Sequence, residues 1–363
     1  MINVRAFLPQ GWLLGRAAGL LLCGWMLCGA MGLAQGATPV AVEVQVRTPQ
    51  ADRRAPDQTL LTYPEWFLVF SPFEYGEFLA KDRPSAFPFF GHIAQFWQGY
   101  RRVSQEISAR QLPANPGYHL MIWVIGTSTT VEYAIKSAYE NTVGRLAEAT
   151  ASATTDEERY AATVAQDYVR FIRVRPWYEY DFKARLQGLW HDTPLTGPDM
   201  IRKWERKYAL STEYLIKWGY AKLIGLGTAG VYDPALPTTV VLLQKAPTPD
   251  AALPAMKLLQ TFADGRALVS LPRYEPFMQY AQVLAEQGAV FQEIAGNSGV
   301  MLVTVLAPDN WVRSGTAEEI FAQPILTRAG VSRRLLLVNV ADLSNALRQW
   351  SGQGLEIEHV FDY

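Results

Sequence analysis

Cysteine is almost absent: the 363-residue chain contains two, Cys23 and Cys28. That excludes a disulfide scaffold and a cysteine-based zinc site. Charge is scarce as well. Asp, Glu, Lys and Arg make up 18% of the residues, below the ~25% of an ordinary soluble domain. The 33 basic residues are matched by 34 acidic ones, so there is no basic excess to displace counterions from nucleic acid. Histidine occurs four times, at His92, His119, His191 and His359, never in His-x3-His or His-Glu-x-x-His spacing. A hydrolase nucleophile elbow, Gly-x-Ser-x-Gly, is missing too. What the chain has in quantity is aromatic: 11 Trp, 17 Tyr and 16 Phe. Such a composition excludes disorder, and the length allows two to three domains.

Both cysteines lie in an apolar run, Ala17 to Ala34, that follows Arg5 and Arg16. Positive charge, apolar stretch and small residues in that order describe an export signal. Eighteen residues also reach the lower limit of a membrane span, so residues 1–42 are a cleaved signal or a retained anchor. Either way the remainder is expected outside the cytoplasm, periplasmic or tethered to the inner membrane. Residues 43–60 form a polar lead-in.

Two patterns divide the rest. Residues 61–232 read as helical and hold seven of the Trp. Residues 237–363 alternate short β-branched or Leu-rich runs with amphipathic helices. Asp264-Gly265 marks a hairpin. Strand, helix and strand then follow at 267–271, 274–287 and 289–294, and again at 335–340, 342–350 and 355–361. Further strands are expected near 238–244, 256–262 and 324–329. Two β-α-β units in series predict one ferredoxin-like α+β domain, joined to the helices through 232–237.

The helical part carries an internal match. Glu132–Gly144 and Glu213–Gly225 are identical at six of 13 positions. Upstream, Glu74-Tyr75, Phe89, Ile93, Phe96 and Trp97 parallel Asp167-Tyr168, Phe182, Leu186, Leu189 and Trp190 in the same order. This predicts a duplication, with copies at about 74–145 and 167–225. Glu132, Lys136 and Tyr139 share one helix face, as do Glu213, Lys217 and Tyr220. The stripes are either solvated i,i+4 pairs or one polar centre enclosed between facing helices. The uncharged stretch from Leu120 to Val131 favours partial burial of the first helix.

Secondary candidates are weaker. In Thr62-Tyr63-Pro64-Glu65-Trp66, Thr62 reads as a helix cap and Glu65 as a first-turn acid. His92 sits on an aromatic helix, and His119 opens an apolar one. Glu140 and Arg145 end the first copy, where the second has Ala221 and Leu226. His359 reads as an exposed strand edge. Arg202, Lys203, Arg206 and Lys207 read as a solvated face or one turned to anionic lipid. Gly225-x-Gly227-x-x-Gly230 ends a helix instead of opening one, so it is not a dinucleotide fingerprint. No cofactor is indicated, and metal binding by His92, His119, His191 and a Glu has no support in spacing.

The phrases TYPEW, FGHIAQFW, VEYAIKSAYENTVGR and PWYEYDF, with the ending IEHVFDY, resemble a bacterial family of exported or membrane-anchored proteins to which no activity is assigned. The resemblance spans nearly all of the mature chain. It implies an envelope location and carries no catalytic residues over. The expected function is a non-catalytic module that binds an apolar or lipid-like ligand or a protein partner in an aromatic-lined cavity. The rival is an enzyme using Glu65, Glu132, Glu140 and Glu213 with His92 or His119 as acid–base groups.

Overall fold

Residues 46–54, 60–228, 237–248 and 250–361 are described in the computed structural model. The apolar run at 17–34, most of the 232–237 joint and the end of the Gly225–Gly230 motif lie outside them. Among the described residues no helix is long and apolar enough to cross a membrane.

In the helical half the order helix, 3-10 turn, helix, helix occurs twice. Helix α1 (Thr62–Leu79) leads through a 3-10 turn at Pro84–Ala86 to α2 (Phe89–Ala109) and α3 (Pro116–Tyr139). A π-helical turn, Glu140–Gly144, and α4 (Arg145–Glu148) intervene. Then come α5 (Asp156–Ile172), a 3-10 turn at Trp177–Glu179, α6 (Phe182–Asp192) and α7 (Met200–Thr228). Asn115 caps α3 ahead of Pro116, and a Thr155–Glu158 capping box starts α5. Thr62 is not the cap expected of it but the first residue of α1, after Leu61.

The two 3-10 turns have the same hydrogen bonds. Phe87 N–H reaches Pro84 O, and Tyr180 N–H reaches Trp177 O, both at 3.2 Å. Their aromatic contacts match too. Tyr75 meets Phe87 edge to face at 4.8 Å, and Tyr168 meets Tyr180 at 5.1 Å. Phe87–Phe89 and Tyr180–Phe182 repeat that geometry at 4.8 and 5.0 Å. Trp97 Nε1 donates to Thr130 Oγ1, and Trp190 Nε1 to Ser211 Oγ, both at 2.9 Å.

The carboxyl-terminal half is α+β and also repeats its order. Its elements are β1 (Thr238–Leu243), β2 (Lys257–Thr261), β3 (Ala267–Pro272), α8 (Glu275–Glu286) and β4 (Phe291–Ile294), then β5 (Val300–Pro308), β6 (Glu318–Pro324), β7 (Val331–Asn339), α9 (Leu343–Gly352) and β8 (Glu356–Val360). The strands form two antiparallel sheets, ordered β2-β3-β1-β4 and β6-β7-β5-β8. This differs from the single ferredoxin-like sheet expected. The physical reason is β6, which lies at 318–324 and not at 324–329. It gives β7 a partner, so the second β-α-β unit builds its own sheet around β5.

Both sheets and both helices share one core, built around Phe277, Leu284, Val303, Leu336 and Trp350. The second sheet is buried on both faces. Along β7, Leu336 and Val338 enter that core, while Leu335 and Leu337 pack with Tyr63, Phe67, Phe96 and Ile122 of the helical half. The period-2 alternation of a strand thus serves two apolar layers.

Candidate functional site

Helices α3 and α7 bring the two Glu/Lys stripes together. Lys136 Nζ lies 3.1 Å from Glu132 Oε1 and 2.8 Å from Glu213 Oε1. Lys217 Nζ lies 3.2 and 2.8 Å from the same two oxygens. The result is a closed ring of four alternating charges. Each ammonium also sits over a tyrosine from the repeated motif, Lys136 over Tyr75 and Lys217 over Tyr168. Burial raises the Glu213 carboxyl, but Lys136 and Lys217 more than offset it and leave the group well below the usual range. Burial opposes the Lys136 charge, and Glu213 and Glu132 hold it well above the usual lysine value.

The ring is half-buried, with Glu132 40% exposed. The stripes thus meet between facing helices, as in the second arrangement expected, but the ring they form is only partly enclosed. A double-mutant cycle on Lys136→Met and Glu213→Gln should give a coupling of roughly 1 kcal/mol that shrinks with salt. A coupling near zero at low salt would show that the ring contributes nothing. Tyr139 and Tyr220 stay out of it: Tyr139 lies near Tyr208, and Tyr220 stacks on Trp177.

The basic cluster of α7 is not solvated. Arg202, Lys203, Arg206 and Lys207 are all buried. Arg206 forms a two-pronged pair with Glu140 at 2.9 and 3.0 Å. Arg202 meets Glu158 at 2.7 Å, and Lys203 and Lys207 both meet Glu157. In the matching register α3 has Met121, Ile122, Ile125 and Gly126. One inward face is apolar and packs on the sheet, while the other is ionic and packs on α5 and the π-turn.

Glu140 is thus a buried partner of Arg206 and not surface drift, although burial still raises its carboxyl. The π-turn lets it fold back. A Cβ at Gly144 would lie 2.5 Å from Glu140 Oε2, so a larger residue there would displace that carboxylate from Arg206. Arg145 is exposed beside it.

His92 joins a separate network at the junction of helices and sheet. Its Nδ1 is hydrogen-bonded to Ser71 Oγ at 2.9 Å, and Ser71 Oγ to Tyr133 OH at 2.9 Å. Its Nε2 faces Glu74 Oε2 at 3.7 Å. Glu74 in turn pairs with Arg333, which Glu358 grips through both carboxylate oxygens at 2.6 Å. Burial, with the Arg333 charge adding to it, lowers His92 to about 3, so the ring is neutral at physiological pH. The order Ser71–His92–Glu74 resembles a hydrolytic triad. The adjacent void of about 10 Å³ holds at most one water, so no substrate reaches Ser71.

His359 is not at an exposed edge. Helix α1 covers it, and Trp66 stacks on its ring at 3.5 Å. Glu65 accepts from Tyr118 OH, and His119 bonds Tyr100 OH at 2.8 Å. Glu65, Glu132 with Glu213, Glu140 and His92 therefore occupy four separate places. Sequence reasoning missed Arg333, Ser71 and Glu74 as one network. The signal available was Arg333 in phase with Leu335 and Leu337.

A large opening lies between α6 and α7. It is a groove of about 820 Å³ lined by Leu186, Trp190, Trp204, Tyr208 and Leu215, with Lys207 buried beneath and Gln187, His191, Ser211 and Thr212 supplying polar atoms. The equivalent seam between α2 and α3 is closed. There a Cβ at Gly126 would collide with the Phe96 ring at 2.2 Å, so the helices touch. At the corresponding spacing α7 and α6 have Lys207 and Leu189, and α6 is much shorter than α2.

No family model, curated protein or solved structure matches this chain.

Along α3 the stretch expected to be partly buried is so: Met121, Ile122 and Gly126 are buried, while Leu120, Trp123 and Val131 are exposed. Every exposed residue of α3 is uncharged, and from Met200 to Gly225 the one exposed charge among the described residues of α7 is Lys222.

Proposed function

We propose that this protein is a non-catalytic module of the cell envelope, exported or membrane-tethered, that binds a small apolar or lipid-like ligand in the α6–α7 groove. The observation that carries this reading is the contrast between the two seams. One helical plan, used twice, is closed to a one-water void in the first half and open to about 820 Å³ in the second. That volume falls in the range of small-molecule sites, roughly 300–1,000 Å³, as does its lining of aromatic walls with a few polar groups. The matched turns, ring pairs and Trp hydrogen bonds support a duplicated helical unit in which one copy kept a closed seam and the other gained a site. The scattered acids and histidines give the catalytic alternative no common pocket.

Calorimetric titration with dodecanoate should give saturable binding. Trp204→Ala removes one aromatic wall and should weaken it about tenfold, the effect of losing roughly 1.4 kcal/mol. Lys183→Ala, outside the groove, should leave the affinity unchanged. Equal binding by the Trp204 variant, or none by the native chain, would refute the assignment.

A further inference from the structure

We infer that the outer face of α3 and α7 rests on a lipid bilayer. This deepens the proposed function, because Trp204 and Leu215 belong both to that face and to the lining of the α6–α7 groove, whose ligand would enter from the membrane. The inference itself stands on a different observation, the nearly uncharged and partly apolar outer face of the two helices. A surface helix ordinarily buries its apolar stripe and presents charge to water. Here Trp123, Val131, Ile135, Trp204, Leu215 and Ile216 are between 43% and 64% exposed. Apart from Lys222, the charges of the same helices are turned from that face and paired, with one another in the four-charge ring and with acids of α5 and the π-turn. Helix α2, by contrast, exposes Arg101, Arg102 and Gln105 in the ordinary way.

The ion pairs align the two helices. Glu140 on the π-turn meets Arg206, and Lys136 meets Glu213 four residues earlier on one side and seven later on the other. The helices therefore run antiparallel and side by side, and their apolar stripes form one surface. The four-charge ring between them has no net charge. Scattered apolar residues on a protein surface are normal, but two adjoining stripes with Trp among them mark an interaction surface.

The occupant follows from the rest of the chain. Forty-five residues precede the described part, and they include the basic-flanked apolar run at 17–34. A body held near a bilayer by that segment meets lipid at high effective concentration. Tryptophan is the side chain best suited to the interface between headgroups and acyl chains. Amphipathic helices lying in that plane bury such a face without crossing the membrane.

The test uses the full chain in phosphatidylethanolamine–phosphatidylglycerol vesicles with brominated acyl chains, which quench nearby indoles. Trp12→Phe and Trp25→Phe remove the indoles of the amino-terminal segment. Nine indoles remain, of which Trp123 and Trp204 lie on the face, so emission should fall by roughly a fifth, and Trp123→Phe with Trp204→Phe should abolish most of that quenching. Ile135→Glu with Ile216→Glu should abolish it as well, while circular dichroism and dodecanoate binding stay native. A folded chain with no quenching would overturn the inference. So would a concentration-dependent dimer that the two Glu substitutions dissolve, since a second copy would then cover the face. Loss of dodecanoate binding with quenching intact would refute the groove and leave the membrane face standing.

Discussion

Replacing Arg333 by Met should destabilise the protein by about 3–5 kcal/mol, the usual cost of removing one partner from a buried ion pair. The guanidinium is fully enclosed, pairing with Glu358 and Glu74 and lying over the Phe70 ring at 4.5 Å. Methionine keeps part of that packing but leaves two carboxylates without their counter-ion. One comes from β8 and the other from α1, so the loss also loosens the junction between sheet and helices. Urea unfolding should show a lower midpoint with an unchanged slope. Adding Glu74→Gln and Glu358→Gln should restore part of the stability, because the stranded charges are then gone. A loss under about 1 kcal/mol for the single variant would mean that water or another cation reaches those carboxylates.

Stability should also depend on pH through His92. In the folded state its pKa is about 3, far below the 6.5 of an unfolded histidine. Between these values the unfolded chain binds a proton that the folded chain does not, so stability falls as pH is lowered from 6.5 toward 3. From pH 6.5 to 4.5 the loss should be about 2 kcal/mol. Ser71, Tyr133, Glu74, Arg333 and Phe87 surround the ring, and Glu74 acts in the opposite direction. Burial raises the Glu74 carboxyl despite Arg333, so that group favours the folded state as pH drops through its own range. The contribution of His92 is isolated by comparison with His92→Gln, which does not titrate. Over pH 6.5–4.5 the native chain should lose about 2 kcal/mol more than the variant. Parallel curves would show that His92 carries a proton in the fold.

Much of this architecture is legible in the residues. Equal spacing of Phe89, Phe96 and Trp97 with Phe182, Leu189 and Trp190 locates two helical hairpins whose turns and rings coincide. Asp264-Gly265 gives the β2–β3 hairpin, with Gly265 at φ +86°. Gly288 and Gly354 end α8 and α9 at φ +78° and +72°. Pairing of strands into two sheets was not legible, because Glu318–Pro324 lacks the apolar run of an interior strand and is recognised as β6 only beside β7.

Polarity misled in a consistent way. Charged residues on α7 read as a wet face, and uncharged residues on α3 as a core. Ion pairs of high sequence separation, such as Glu140 with Arg206, reverse the first assignment, while α3 buries one apolar side, with Met121 and Ile122, and exposes another. Such pairs are invisible to periodicity, since each residue alone looks like surface. The Glu132–Lys136 and Glu213–Lys217 stripes were readable as stripes, but their closure into one ring required the antiparallel contact of α3 with α7.

The groove is tested most directly by titrating the protein with a terminally brominated fatty acid and recording tryptophan emission. Bromine quenches indoles it touches, and Trp190 and Trp204 both line the groove. Saturable quenching is expected, lost in Trp190→Phe with Trp204→Phe and unchanged in Trp97→Phe, whose seam is closed. Quenching that never saturates, or that persists in the Trp190 and Trp204 double variant, would contradict a ligand site between α6 and α7.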